Sequence, residues 1–140
     1  MQADHERWLT FTMDDTTYCL PVNTVREVTL WNRPEPVPDA PRQAWGVINL
    51  RGDIVTVLDG RSLLGLPQKE PDDDTRVLTI EVEQEVIGFV VDAVHEIVLL
   101  DPAKVEPPVT PQAFMKGTCY HKNDLLVLLT LENVHEELGR

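Results

Sequence analysis

Arg51 is the side chain in this sequence best suited to recognition. It stands in Asn49-Leu50-Arg51-Gly52-Asp53, between the apolar runs Val47-Ile48 and Ile54–Leu58. Two β-branched segments around a short reversal with a glycine read as a hairpin. A guanidinium at its tip or shoulder presents a planar fork suited to a carboxylate. The alternative is an arginine that solvates the turn or pairs with a local acid. Other reactive types support less. His5, His95, His121 and His135 are scattered, without H-E-x-x-H or another ligand spacing. His95 adjoins Glu96, but neighbours on an extended segment point to opposite faces, against a base with an orienting acid. Cys119 and His121 share a strand face, yet no third group completes a thiol–imidazole site. No G-x-x-x-x-G-K-S/T and no G-x-S-x-G occurs. Asp72-Asp73-Asp74 lacks the alternating spacing and glycine of a calcium loop and reads as a surface turn. No catalytic residue, metal site or cofactor is therefore expected.

The elements that must position Arg51 are short strands. Trp8–Met13 alternates with a period of two, Asp14-Asp15-Thr16 is turn chemistry, and Thr17–Val22 is the returning strand, with Pro21 at its end. Asn23-Thr24 is placed to cap one helical turn before the extended segment Val25–Leu30. Asn32–Pro41 holds four prolines in ten residues and is an irregular connector. After the central hairpin, Asp59-Gly60 breaks the strand, and Arg61–Leu64 makes a helical turn ended by Gly65. Pro67–Thr75 reads as a solvated loop that buries nothing. Arg76–Glu83 and Val86–Val91 form another hairpin around Gln84-Glu85, followed by the extended segment Val94–Leu100. A second proline connector spans Asp101–Pro111, and Gly117-Thr118 leads to the apolar strand Leu125–Leu129. Thr130 then caps a closing helix, Leu131–Leu138, ended by Gly139.

With 140 residues, 42% hydrophobic and 6% aromatic, the chain has the size and balance of one β-rich domain. A net charge of −12 argues against nucleic acid and against anionic membrane surfaces. No stretch approaches the ~20 apolar residues of a spanning helix. Met1–Arg7 is polar, without the apolar core of a secretion signal. Two cysteines a hundred residues apart, Cys19 and Cys119, fit free thiols in a reducing cytoplasm. Trp8, Trp31 and Trp45 read as core or interface anchors.

The order of elements occurs twice. At a spacing of 69 residues, Leu9, Phe11 and Met13 fall on Leu78, Ile80 and Val82, and Val25, Glu27 and Val28 on Val94, Glu96 and Ile97. With a two-residue slip, Gly46, Asp53, Ile54, Leu58 and Leu63 fall on Gly117, Asp124, Leu125, Leu129 and Val134. Each half has the short strands and tight turns of a small barrel, and a half this size needs a shared core. The expected halves are 8–66 and 76–138 of a single domain spanning 1–140, with exchange of strands between them open. Differences cluster where Leu50-Arg51-Gly52 becomes His121-Lys122-Asn123 and Asp59-Gly60-Arg61 becomes Thr130-Leu131-Glu132. The first half is therefore specialised at its hairpin and at the turn after it.

GVINLRGDIVTVLD, with YCLPVNTVREV before it and GFVVDAVHEIV after it, resembles the CheW-like coupling domain of bacterial chemosensory systems. The likeness continues through VEPPV and FMKG…DLLVLLTLENV, covering Trp8–Leu138. It implies an all-β fold of two small SH3-like five-stranded barrels on a shared core, with one or two short helices. It also implies a non-catalytic adaptor binding a chemoreceptor's cytoplasmic tip and a histidine kinase's regulatory domain. The chain resembles the stand-alone adaptor rather than the matching part of the kinase, and a cytoplasmic place at receptor arrays follows. Receptor contacts carry over to Val25, Glu27 and Arg51, beside Val47, Ile48 and Leu50. Kinase contacts carry over to Gly88, Val90, Asp92 and Val94. Three positions depart from the family pattern: Thr56 in place of the usual proline, Gly60 interrupting D-L-R, and Thr130 in place of a frequent aspartate. The first two bear on which receptor class is recognised. The other reading is a stand-alone regulatory barrel for a different kinase or scaffold, or a coupler in a non-flagellar pathway. On this resemblance Glu27 and Arg51 are expected to form a surface ion pair that serves orientation and partner choice more than stability.

Overall fold

A computed structural model describes residues 5–134. Ten strands alternate along the chain: β1 (Glu6–Met13), β2 (Thr16–Pro21), β3 (Val25–Leu30), β4 (Ala44–Leu50), β5 (Asp53–Asp59), β6 (Arg76–Val82), β7 (Glu85–Val91), β8 (Ala93–Leu100), β9 (Met115–His121) and β10 (Asp124–Leu129). One short helix, α1 (Gly60–Leu63), follows β5, and single 3-10 turns cover Val22–Thr24 and Pro102–Lys104. Thus Asn23 and Thr24 lie inside a turn rather than capping one. Pro21 precedes that turn without a side-chain cap, and the Thr24 hydroxyl donates back to the Pro21 carbonyl at 2.8 Å.

The strands form two five-stranded sheets, ordered β8-β1-β2-β10-β9 and β3-β6-β7-β5-β4. The second order becomes the first when each strand is replaced by its counterpart in the repeat. Each sheet takes strands from both halves. Parallel pairings join them, β2 to β10 and β5 to β7. The sequence boundaries 8–66 and 76–138 therefore do not separate the two sheets; β1 and β2 pair into the second half's sheet, and β6 and β7 into the first half's.

Burial explains the apolar runs. Phe11, Leu20, Leu58, Leu78, Ile80, Phe89, Leu129 and Val134 belong to one core shared between the sheets. The alternate residues of the same strands point the other way. Trp8, Cys19, Leu126 and Leu128 form a separate cluster in the first sheet, and Val57, Val77 and Val90 one in the second. Central strands buried on both faces read as continuous hydrophobic sequence. Trp8 is core, whereas Trp31 and Trp45 meet edge to face at 4.9 Å, half-buried beside the second sheet's core.

All four antiparallel hairpins turn in two residues. Asp14-Asp15, Arg51-Gly52, Glu83-Gln84 and Lys122-Asn123 all have positive φ at both positions, the geometry that matches strand twist. The third turn is one residue earlier than the sequence suggests, because Val82 pairs with Glu85. Buried Thr10 sits at the irregularity between β1 and β8, where its hydroxyl donates to the Glu96 carbonyl (2.7 Å) and accepts from the Glu96 amide (3.0 Å). Thr75 is buried as well, so the loop 67–75 is not wholly solvated. The closing helix expected over 131–138 lies largely outside the described residues. Inside them, the Val134 amide donates to the Leu131 carbonyl at 3.1 Å.

Candidate functional site

In the second sheet β3 and β4 are the two edge strands. The β4–β5 turn is built for Arg51: the Asn49 side-chain oxygen accepts from the Gly52 amide at 2.9 Å, and Gly52 takes φ +91°. From there Arg51 reaches to β3 and binds Glu27 in a fork, Nη1 to Oε1 and Nη2 to Oε2, each 2.6 Å. The pair ties one edge of the open barrel to the other. Arg51 is 70% exposed and Glu27 27%. The Arg51 hydrogen bonds hold the Glu27 carboxyl below its ordinary pKa, and Glu27 in turn raises that of Arg51. Beside them lies a shallow cavity of about 320 Å³, whose walls include Arg26, Leu50, Asp53, Val55 and Val86.

Glu27, Leu50 and Arg51 thus share one surface. Val25, Val47 and Ile48 are half-buried around it. Val25 packs on the shared core, Ile48 packs on the second sheet's own core, and Val47 exchanges backbone hydrogen bonds with Glu35 of the first proline connector (2.8 and 2.9 Å). At the equivalent place in the other sheet, Glu96 and Lys122 form no ion pair. The two halves therefore share a backbone and differ in whether the barrel edges are fastened.

Of the four second-half positions, Gly88 and Val90 face the interior of the second barrel. A side chain at Gly88 would press on Val77 (3.1 Å), and Val90 is in the core. Both positions are buried, on the central strand β7 between β6 and β5. Val94 is half-buried against the shared core. Asp92 is engaged inside the molecule by Arg61, to which the sequence alone assigns no partner. Arg61 donates to it from Nε (2.9 Å) and Nη2 (2.7 Å), and also reaches the Pro67 carbonyl (2.8 Å). Asp14 stands 3.6 Å from the same guanidinium, and its amide donates to Asp92 at 3.1 Å. Burial raises the Asp92 carboxyl, but the bonds from Arg61 and the Asp14 amide outweigh this and lower its pKa. The network joins α1, the β1–β2 turn and the β7–β8 junction, so it ties one sheet to the other. The signal for it was the contrast of Asp59-Gly60-Arg61 with Thr130-Leu131-Glu132 between the halves.

His95 meets the Thr12 hydroxyl (3.2 Å), and the Cys119 thiol donates to the Tyr120 carbonyl (3.6 Å) rather than to His121. Burial pushes the Cys19 thiol up to about 12 and raises Cys119, the opposite of a nucleophile's tuning. Among the described residues no three His, Cys, Asp or Glu side chains are placed to hold a metal, and no helix is long and apolar enough to cross a membrane.

Comparison with known proteins agrees with this architecture. The CheW-like domain matches residues 7–138. The chain is 29% identical over 133 residues to the chemotaxis protein CheW of Rhizobium meliloti (strain 1021), covering 90% of this chain and 84% of that one. It is 30% identical over 113 residues to the chemotaxis protein CheW of Bacillus subtilis (strain 168), covering 81% and 71%. The crystal structure of the scaffolding protein TtCheW from Thermoanaerobacter tengcongensis superposes with a TM-score of 0.91 at 27% identity, covering 98% of this chain and 97% of that one. Two like barrels on a common core, with an arginine fork closing only one of them, are therefore the form taken here by a member of the CheW-like domain family.

Proposed function

We propose that this chain is a non-catalytic adaptor that couples chemoreceptors to a histidine kinase in a bacterial chemosensory complex. The carrying observation is the exposed Glu27–Arg51 fork on a rigid hairpin, present in one barrel and absent from its twin. An exposed pair adds little to stability, so its value lies in orientation and choice of partner. A receptor helix that offers its own carboxylate or cation competes for these two groups, with Val25, Val47, Ile48 and Leu50 as the apolar surround. The kinase's regulatory domain docks on the second half. Val94 and the strand around it supply that surface, while Gly88 and Val90 support it from within. The adaptor works in the cytoplasm, recruited to receptor arrays at the inner face of the membrane.

The test is reconstitution. The purified chain is mixed with a chemoreceptor cytoplasmic fragment and a histidine kinase, and sedimentation and autophosphorylation are measured. The expected result is co-sedimentation of all three and kinase stimulation that depends on the chain. A chain that binds neither component removes the proposal.

A further inference from the structure

The Arg61 network has a counterpart in the repeat that lacks its arginine. Arg61 corresponds to Glu132, Asp14 to Glu83 and Asp92 to Asn23. In the first half the space is closed. Gly60 is buried so tightly that a side chain there would run into the Val90 carbonyl and the Met13 sulfur, and this contact seats α1 on β7. The equivalent of Gly60 is Leu131, which cannot approach β2 as closely. Between Leu131–Asn133 and the end of β2 lies a cavity of about 460 Å³. Its floor is apolar, from Leu20, Ile80, Val82 and Leu131, all buried. Its rim is acidic, from Glu81, Glu83 and Glu132, all exposed. On this rim Glu81 pairs at 3.6 Å with Arg26, which is itself mostly exposed.

We infer that this cavity is a socket for an arginine side chain presented by a partner protein. An apolar floor under a carboxylate rim fits a long aliphatic stem that ends in a planar cation. The molecule itself supplies the template. In the other half the Arg61 guanidinium is held by Asp92 at the end of the neighbouring strand and by Asp14 in the turn equivalent to the Glu83 turn, and of these two acids Asp14 has an acidic counterpart here, Glu83. The chain's net charge of −12 favours cationic partners, and here an acidic rim borders an apolar well. The inference does not depend on which partner docks at the Glu27–Arg51 fork.

The probe is N-acetyl-arginine amide, titrated into the isotopically labelled full chain and followed by amide chemical shifts. N-acetyl-citrulline amide, neutral and nearly isosteric, is the control. The expected result is saturable shifts confined to residues 20–24, 80–83 and 130–133, at least fivefold weaker for citrulline. The doubly neutralised chain, Glu83→Gln with Glu132→Gln, keeps its melting temperature and loses at least fivefold in arginine affinity. Shifts spread evenly over the acidic surface, equal binding of citrulline, or unchanged affinity in the neutralised chain would each overturn the inference.

Discussion

Replacing Arg61 by methionine keeps the aliphatic stem and removes the guanidinium, isolating the charge that joins the two sheets. Asp92 then stays mostly out of solvent, with 19% of its side chain exposed, facing an apolar group. Breaking one side of a buried pair costs about 3–5 kcal/mol. Asp92 keeps the Asp14 amide as a donor and some access to water, which brings the cost to about 2–4 kcal/mol. For a chain of this length that is a fall in Tm of about 6–15 °C. Thermal and urea unfolding at pH 7 measure it, and a double-mutant cycle with Asp92→Asn assigns it. A coupling above about 1 kcal/mol is expected for groups in direct contact. The pH dependence has a definite sign. The folded-state pKa of Asp92 is below its usual 3.8, so the unfolded chain takes up the proton first. The pair's contribution is fully present above about pH 4 and is lost as pH falls from there through the folded pKa. The gap between wild type and Arg61→Met is thus flat from neutrality into mild acid and narrows below that point. A Tm change under about 2 °C, or additive single substitutions, would refute a structural role for the network.

Arg51→Glu is expected to abolish receptor-dependent kinase stimulation while moving Tm by less than about 3 °C, since the lost pair is on the surface. Circular dichroism melts beside the reconstituted phosphorylation assay decide this, and a large loss of stability would make Arg51 structural. Gly60→Ala is expected to cost about 1–3 kcal/mol by urea unfolding, because the added methyl meets the Val90 carbonyl and the Met13 sulfur; no loss would mean α1 can shift freely. Cys19 and Cys119 are expected to resist a thiol reagent in the native protein at pH 8 and to react on denaturation, being buried with raised pKa values. Rapid native labelling would contradict their place in the core.

The hairpin carrying Arg51 was legible because everything that shapes it is local. Alternating apolar residues give the strands, and Gly52, three residues after Asn49, gives the turn. The twofold repeat was legible for the same reason, since the burial pattern of Leu9, Phe11 and Met13 had to recur at Leu78, Ile80 and Val82. Which strand pairs with which was not. The parallel contacts of β2 with β10 and of β5 with β7 join segments far apart in sequence, and any continuous apolar run satisfies them equally. The burial of Gly88 and Val90 was equally illegible, because nothing in an unbroken apolar strand tells an outer face from an inner one. The Glu83-Gln84 turn slipped by one residue since neither position carries the glycine or asparagine that marks such turns. Arg61 was hidden differently. Its partner Asp92 lies beyond an acidic loop, and a charge after a helix start ordinarily faces water.

The crossing of strands between the halves has a consequence for how the chain is assembled. Neither sheet is complete until strands of the first half meet partners from the second, so the local hairpins form before the long-range pairings that close each sheet. A break between Pro67 and Thr75 would leave two fragments, each carrying parts of both barrels and neither a whole one. Mixed, they would rebuild the adaptor only together, which makes that loop a natural place to split the protein into a two-piece reporter.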